Sequence, residues 1–110
     1  MPLPEATFHI LVALADTDKH GYAILQDVSN RTGGAVKLNI GTLYTTIKRL
    51  LEQGLIEELD ERPDDDDERR RYYRITTAGR REVMTEAGRL ERMLGMARQA
   101  GPAPKKGSTA

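Results

Sequence analysis

The sequence predicts a mainly α fold with one small β-hairpin, and three observations carry that expectation. Residues 39–56, NIGTLYTTIKRLLEQGLI, place apolar side chains at helical period between Asn39, a good N-cap, and Gly54, the usual residue past a helix end. Two β-prone runs follow, LIEELDE at 55–61 and RYYRIT at 71–76, with a polar, proline-containing stretch between them. From residue 77 to 99, apolar residues then recur in steps of 4, 3, 4 and 3.

Composition bounds what such a fold can do. At 110 residues the chain suffices for one small domain, whose modest core leaves room for stabilisation by a second copy. It has no cysteine, which excludes disulfides and thiolate chemistry and fits a reducing cytoplasm. His9 and His20 stand far apart in the sequence, so no zinc site is expected. No apolar run reaches the roughly 20 residues of a membrane span, and the N-terminus lacks the layout of a secretion signal. The formal net charge is zero, from 17 basic and 17 acidic residues. The acid is concentrated, however. Residues 60–68, DERPDDDDE, hold seven acids and one arginine, which leaves 16 basic against 10 acidic residues elsewhere.

Taken in order, residues 5–16 form a first helix, with Phe8, Leu11, Val12 and Ala15 on one face and Ile10 and Leu14 widening it. Pro4 suits the first turn. So broad an apolar face suggests a helix largely buried, in its own core or partly against another subunit. DTDKHG at 16–21 is a turn, and residues 20–31 form a second helix with Ile24, Leu25 and Val28 inward. Tyr22 lies near its N-terminus, where free N–H groups favour an anion, so its hydroxyl either meets a phosphate or packs at the domain edge. RTGGAVKL at 31–38 is a loop with a Gly-Gly break and a short extended piece at 36–38.

The central helix buries Leu43, Ile47, Leu50 and Leu51. Its other face carries Thr42, Tyr44, Thr45, Lys48, Arg49 and Gln53, with no carboxylate before Glu52. Hydroxyls near the N-terminus and cations beyond suit a helix in a DNA major groove, its first turns at base edges and its cations at phosphates. The plainer reading is a solvated helix on a core. Two helices joined through a glycine-containing loop form a helix-turn-helix arrangement, and a hairpin directly after the second makes it a winged one. Arg69, Arg70, Arg71 and Arg74 sit on the return strand of that wing. They either reach phosphates or pair with the neighbouring aspartates, and exposed pairs of that kind are worth about 0–1 kcal/mol. The aspartates at 64–67 have carboxylates at the i, i+2 spacing of a calcium loop but lack its glycine and closing glutamate, so no metal is expected.

Thr76 or Thr77 caps the last helix. Its seam is Val83, Ala87, Leu90, Leu94 and Ala97, with Met84 and Met93 beside it. A seam this narrow suggests contact with a second chain, the alternative being packing back onto the first helix. Gly88 and Gly95 each weaken the helix by about 1 kcal/mol relative to alanine, so it needs a partner surface. Residues 100–110 carry no apolar pattern and are expected to be a disordered tail. No phosphate loop, nucleophile–base pair or metal cluster is evident, so neither a cofactor nor an enzyme activity is expected.

HGY at 20–22, GTLY at 41–44 with IKRLLEQGLI at 47–56, and YYRITTAGR at 72–80 together resemble the PadR family of bacterial transcriptional regulators, over residues 5–95. The resemblance implies a homodimeric winged helix-turn-helix, usually a repressor, on a palindromic operator in double-stranded DNA. It implies that GTLY lies in the recognition helix and that the HGY tyrosine approaches the DNA backbone. It further implies that the helix after TxxG dimerises with help from the first helix. The expected DNA-binding residues are thus Tyr22, Asn39, Thr42, Tyr44, Thr45, Lys48, Arg49, Arg70 and Arg71. The expected dimerisation residues are Phe8, Leu11, Val83, Ala87, Leu90, Leu94 and Ala97. Thr45 stands where the family commonly has proline, which leaves a hydroxyl and an N–H at the groove-facing turn. The wing tip is acidic where the family's is usually glycine-rich and basic. Family members often respond to small aromatic molecules at the dimer interface; here, without tryptophan, Phe8 and a few methionines would have to line such an effector site.

The expected organisation is a DNA-binding domain over 1–76, a dimerisation helix over 77–99 and a tail over 100–110. Two recognition helices about 34 Å apart would enter successive major grooves, and the dimer would block polymerase at a promoter. The alternative is a winged helix used as a protein-interaction module with weak or no specific DNA binding, for which the acidic wing argues.

Overall fold

The computed structural model describes residues 2–59 and 71–101. Four helices and a small antiparallel sheet alternate along the chain. These are α1 (Glu5–Asp16), β1 (Lys19–His20), α2 (Gly21–Arg31), α3 (Ile40–Glu52), β2 (Ile56–Glu58), β3 (Tyr72–Ile75) and α4 (Thr77–Ala100). The fold is the expected mainly helical one, but its sheet has three strands in the order β1-β3-β2 rather than the two of a hairpin. β1 lies within the stretch expected to be a plain turn. It pairs Lys19 with Tyr73 and His20 with Tyr72, while β2 pairs Ile56 with Ile75 and Glu57 with Arg74. The extended piece expected at 36–38 is not a strand. Val36 and Leu38 instead pack their side chains on the core, and the Val36 N–H donates to Thr32 Oγ1 at 3.0 Å.

Ile10, Leu11 and Leu14 of α1, Ile24 and Val28 of α2, and Leu43, Ile47 and Leu50 of α3 meet Ile56, Tyr73 and Ile75 of the sheet in one core. Burying a side chain of this size contributes about 1.5–3 kcal/mol. Leu11 is completely buried there. The expectation that it contributes to a dimer interface is therefore corrected, because its own chain has already covered it. α3 is set by its ends. The Thr42 N–H donates to Asn39 Oδ1 at 2.8 Å, and Gly54 turns the chain with a φ of 74°, a left-handed conformation that favours glycine.

Thr76 joins that end of α3 to α4. Its hydroxyl donates to the Gly54 carbonyl at 2.8 Å and accepts from the Gly79 N–H at 3.0 Å, capping α4. Gly79 is required by contact. A Cβ there would run into the Leu55 carbonyl oxygen and come within 2.7 Å of Ile75 Cγ1. TxxG in the sequence is thus the joint between α3 and α4.

The first half of α4 lies on α1. Val83 packs against the core, and Glu86 is 5% exposed. The Glu86 carboxylate accepts two hydrogen bonds from Arg89, at 2.6 and 3.0 Å, and a longer one from the Leu3 N–H at 3.4 Å. Chiefly through the Arg89 bonds, its pKa is held below the ordinary value of 4.5. Packing onto the first helix, the alternative raised for this helix, thus holds for its N-terminal half. From Glu91 to Ala100 every residue is exposed.

Candidate nucleic-acid interface

α3 turns Leu43, Ile47 and Leu50 into the core because they recur on one side of a helix, and this fixes what the other side presents. Asn39, Thr42, Thr45, Lys48 and Arg49 are all exposed. Asn39, Gly41, Thr42, Thr45 and Arg49 line a shallow open groove with Thr46, which is itself buried at 5% exposure. The surface therefore offers hydroxyls over the first two turns and two cations beyond. Lys37, exposed in the preceding loop, adds a third positive charge. This is a hydrogen-bonding and cationic surface with no carboxylate on α3 before Glu52.

Two tyrosines extend it. Tyr22 is 61% exposed in the first turn of α2, where His20 Nδ1 accepts from the Ala23 N–H at 3.3 Å. Tyr44 is 44% exposed and lies across the start of the same helix: a Cβ on Gly21 would run into its hydroxyl and come within 2.9 Å of its Cζ. The α2 N-terminus, Tyr22 and the Tyr44 hydroxyl thus converge on one patch beside the exposed face of α3. Gly21 was not among the residues singled out from sequence. Its position in HGY marks a helix start, but nothing local shows that a tyrosine 23 positions later occupies the space of its side chain.

The wing arginines are differently placed. Arg71 Nε lies 3.6 Å from Glu58, and Arg74 lies 3.2 Å from Asp18 and 4.0 Å from Glu57. These pairs use carboxylates of β2 and of the turn before β1. Arg69, Arg70 and the acidic run at 60–68 fall outside the described residues, as does the tail at 102–110.

The second candidate surface is the seam of α4. Phe8, Val83 and Ala87 are half-buried where α4 lies on α1, whereas Leu90, Leu94 and Ala97 are exposed. Leu90 is 39% exposed, and Met93 and Leu94 are each 48%. Between α1 and α4 runs a cleft of about 300 Å³, lined by Leu3, Phe8, His9, Glu86, Arg89 and Leu90 among others. Among the described residues no group of His, Asp or Glu could hold a metal ion, and no helix is long and apolar enough to cross a membrane.

A family model described as the transcriptional regulator PadR-like family matches residues 10–91, which span all the elements above except the ends of α1 and α4. The chain belongs to the PadR-like family. That is a family of transcription regulators and not of enzymes. Solved structures agree in fold with this PadR-like chain. A transcriptional regulator from Clostridium thermocellum has a TM-score of 0.74 at 25% identity, over 87% of this chain and 92% of that one. A PadR family transcription regulator from Clostridium difficile has the same TM-score at 23% identity, over 87% and 97%. Bacillus subtilis PadR, solved in complex with operator DNA, has a TM-score of 0.66 at 21% identity, over 74% of this chain and 46% of that one. An uncharacterised protein of Lysinibacillus sphaericus is 38% identical over 48 residues, so the match spans 44% of each chain.

Proposed function

We propose that this PadR-like chain is a sequence-specific DNA-binding regulator in which α3 enters the major groove. The observation that carries the reading is the composition of the exposed face of α3. It is hydroxyl and amide over the groove-entering turns and cationic beyond, on a helix held rigid by a core on its other side. Hydroxyls and the Asn39 amide read base edges, while Lys48 and Arg49 meet phosphates. Tyr22 and the Tyr44 hydroxyl donate to a phosphate at the α2 N-terminus, where the helix dipole assists. The Bacillus subtilis relative bound to operator DNA supports the same use of the fold.

The regulator acts as a homodimer. Residues 1–76 form the DNA-binding part, and 77–99 carry the seam that joins two copies through Leu90, Leu94 and Ala97. Phe8 and Ala87 lie at its edge. Two copies of α3 then lie about one helical turn apart on a palindromic operator, and the dimer represses by occluding a promoter in the cytoplasm. The cleft between α1 and α4 adjoins the seam, so a small-molecule effector bound there would change the spacing of the two reading helices and release DNA.

A second reading has an observation of its own. Arg71 and Arg74 are held by Glu58, Glu57 and Asp18, which makes the outer sheet surface a paired or acidic one rather than a free cationic wing. That surface favours a basic protein partner over DNA. One experiment separates the two. Labelled duplex from upstream of the protein's own gene is titrated by fluorescence anisotropy at several salt concentrations, against scrambled competitor. The DNA reading predicts nanomolar binding that survives competitor and weakens steeply with salt, as several phosphate contacts require. Equal, weak binding to both duplexes favours the protein-partner reading.

A further inference from the structure

Ile40 is the first residue of α3 and is 57% exposed. It belongs neither to the buried core nor to the half-buried side chains packed on it. Every other large aliphatic side chain of α3 does: Leu43, Ile47 and Leu50 are buried, and Leu51 packs against them. A branched aliphatic group in water at a helix start adds little to the fold, since isoleucine is a poorer helix former than alanine and its exposed surface stays wet. Single exposed apolar residues are common and need no function as such. Two features set this one apart. It stands one helical turn before Tyr44, on the same flank as that exposed tyrosine, and is followed by the exposed Gly41 of the shallow groove. Its backbone is also held in place, because the Asn39 cap closes on Thr42 across it at 2.8 Å.

The first residues of a helix seated in a major groove are those that reach base edges. The one apolar group a base pair offers there is the C5-methyl of thymine. We propose that Ile40 is a specificity residue that selects thymine at one position of each half-site by packing on that methyl. The proposal rests on α3 being the DNA-reading helix. It divides the work of the first two turns: Thr42 and Thr45 hydrogen-bond to base edges, while Ile40 makes an apolar contact with a methyl that no other base supplies. Cytosine at that position would set its amino donor against an aliphatic surface that cannot accept a hydrogen bond.

The test enriches binding sites for the full-length wild-type protein from a random duplex library. Thymines in the enriched site are then replaced singly, in both halves, by deoxyuridine, which removes only the methyl. One position is expected at which replacement weakens wild-type binding about fourfold per half-site, the effect of one buried methyl-sized group. Ile40→Ala and Ile40→Ser should bind the thymine and deoxyuridine duplexes alike. The inference is overturned if no thymine shows the effect, or if the loss persists unchanged in both variants. Failure of the wild type to enrich any sequence would instead overturn the reading of α3 itself, a result distinct from enrichment without methyl sensitivity.

Discussion

α3 and the second half of α4 are both uncovered helices, and the difference in what they leave uncovered separates their tasks. α3 has one face in the core and shows water hydroxyls, an amide and two cations. α4 beyond Leu90 has no face in its own core and shows water Met93, Leu94 and Met96, at 48%, 48% and 61% exposure. The first surface is stable in water, and its hydroxyls and cations suit the polyanion proposed for it. The second exposes apolar area along a helix weakened by Gly95, which favours covering by another apolar surface. Thr76 and Gly79 couple the two, so whatever α4 docks against fixes where α3 points.

The largest expected effect breaks the α4 side. Leu94→Glu would place an unpaired carboxylate in the seam, at a cost of about 3–5 kcal/mol. Dimer affinity should fall more than about 100-fold, measured by sedimentation equilibrium, while circular dichroism at low temperature still shows a folded helical chain because residue 94 is not part of its core. A variant that remains dimeric at the same concentration would mean that the seam is elsewhere.

Next comes the α3 side. Gly21→Ala pushes a methyl into the hydroxyl end of the half-exposed Tyr44 side chain, which must swing aside, so it should cost up to about 1 kcal/mol. In a Tyr44→Ala background that cost should vanish, so denaturant titration of the four proteins gives a measurable coupling term. Additive costs would show that the two residues do not share this space. Lys48→Ala is smaller. It should lower the slope of log affinity against log salt by about one, with an affinity loss similar for all sequences. An unchanged slope would remove Lys48 from the phosphate contacts.

The smallest effect concerns the joint between α1 and α4. Arg89 holds the Glu86 pKa below its ordinary value of 4.5, so the charged carboxylate stabilises the fold above about that pH. The stabilisation is lost as pH falls through the lower, folded-state value. Glu86→Gln should therefore be less stable at neutral pH and show a flatter loss as pH falls below about 4.5, followed by circular dichroism. Parallel acid curves for the two proteins would assign the acid transition to other groups.

The elements legible in the sequence were those whose cause is local. α1 runs over the expected 5–16, Asn39 caps α3, Gly54 ends it and Thr76 caps α4, because caps and helical periodicity depend on residues within a turn or two. What was not legible depends on distant partners. β1 is two residues long and exists because β3 offers it an edge. Leu11 sits on an apolar stripe, and a stripe alone does not say whether its own chain or a second one covers it. Gly21 carries no mark of Tyr44, and Glu86 in the sequence is one more charged residue on a charged helix. The exposed seam and the polar face of α3 were legible as patterns. The pairing of Arg74 with Asp18, 56 positions earlier, was not.

Hydroxyl-radical footprinting of the wild type and Leu94→Glu on one enriched duplex tests both regions at once. Two recognition helices joined through α4 predict two symmetric protected segments one helical turn apart, about 34 Å, with both lost together in Leu94→Glu at the same protein concentration. A single protected segment, unchanged by Leu94→Glu, would contradict the account: α3 would then read DNA without the second copy that the α4 seam is held to supply.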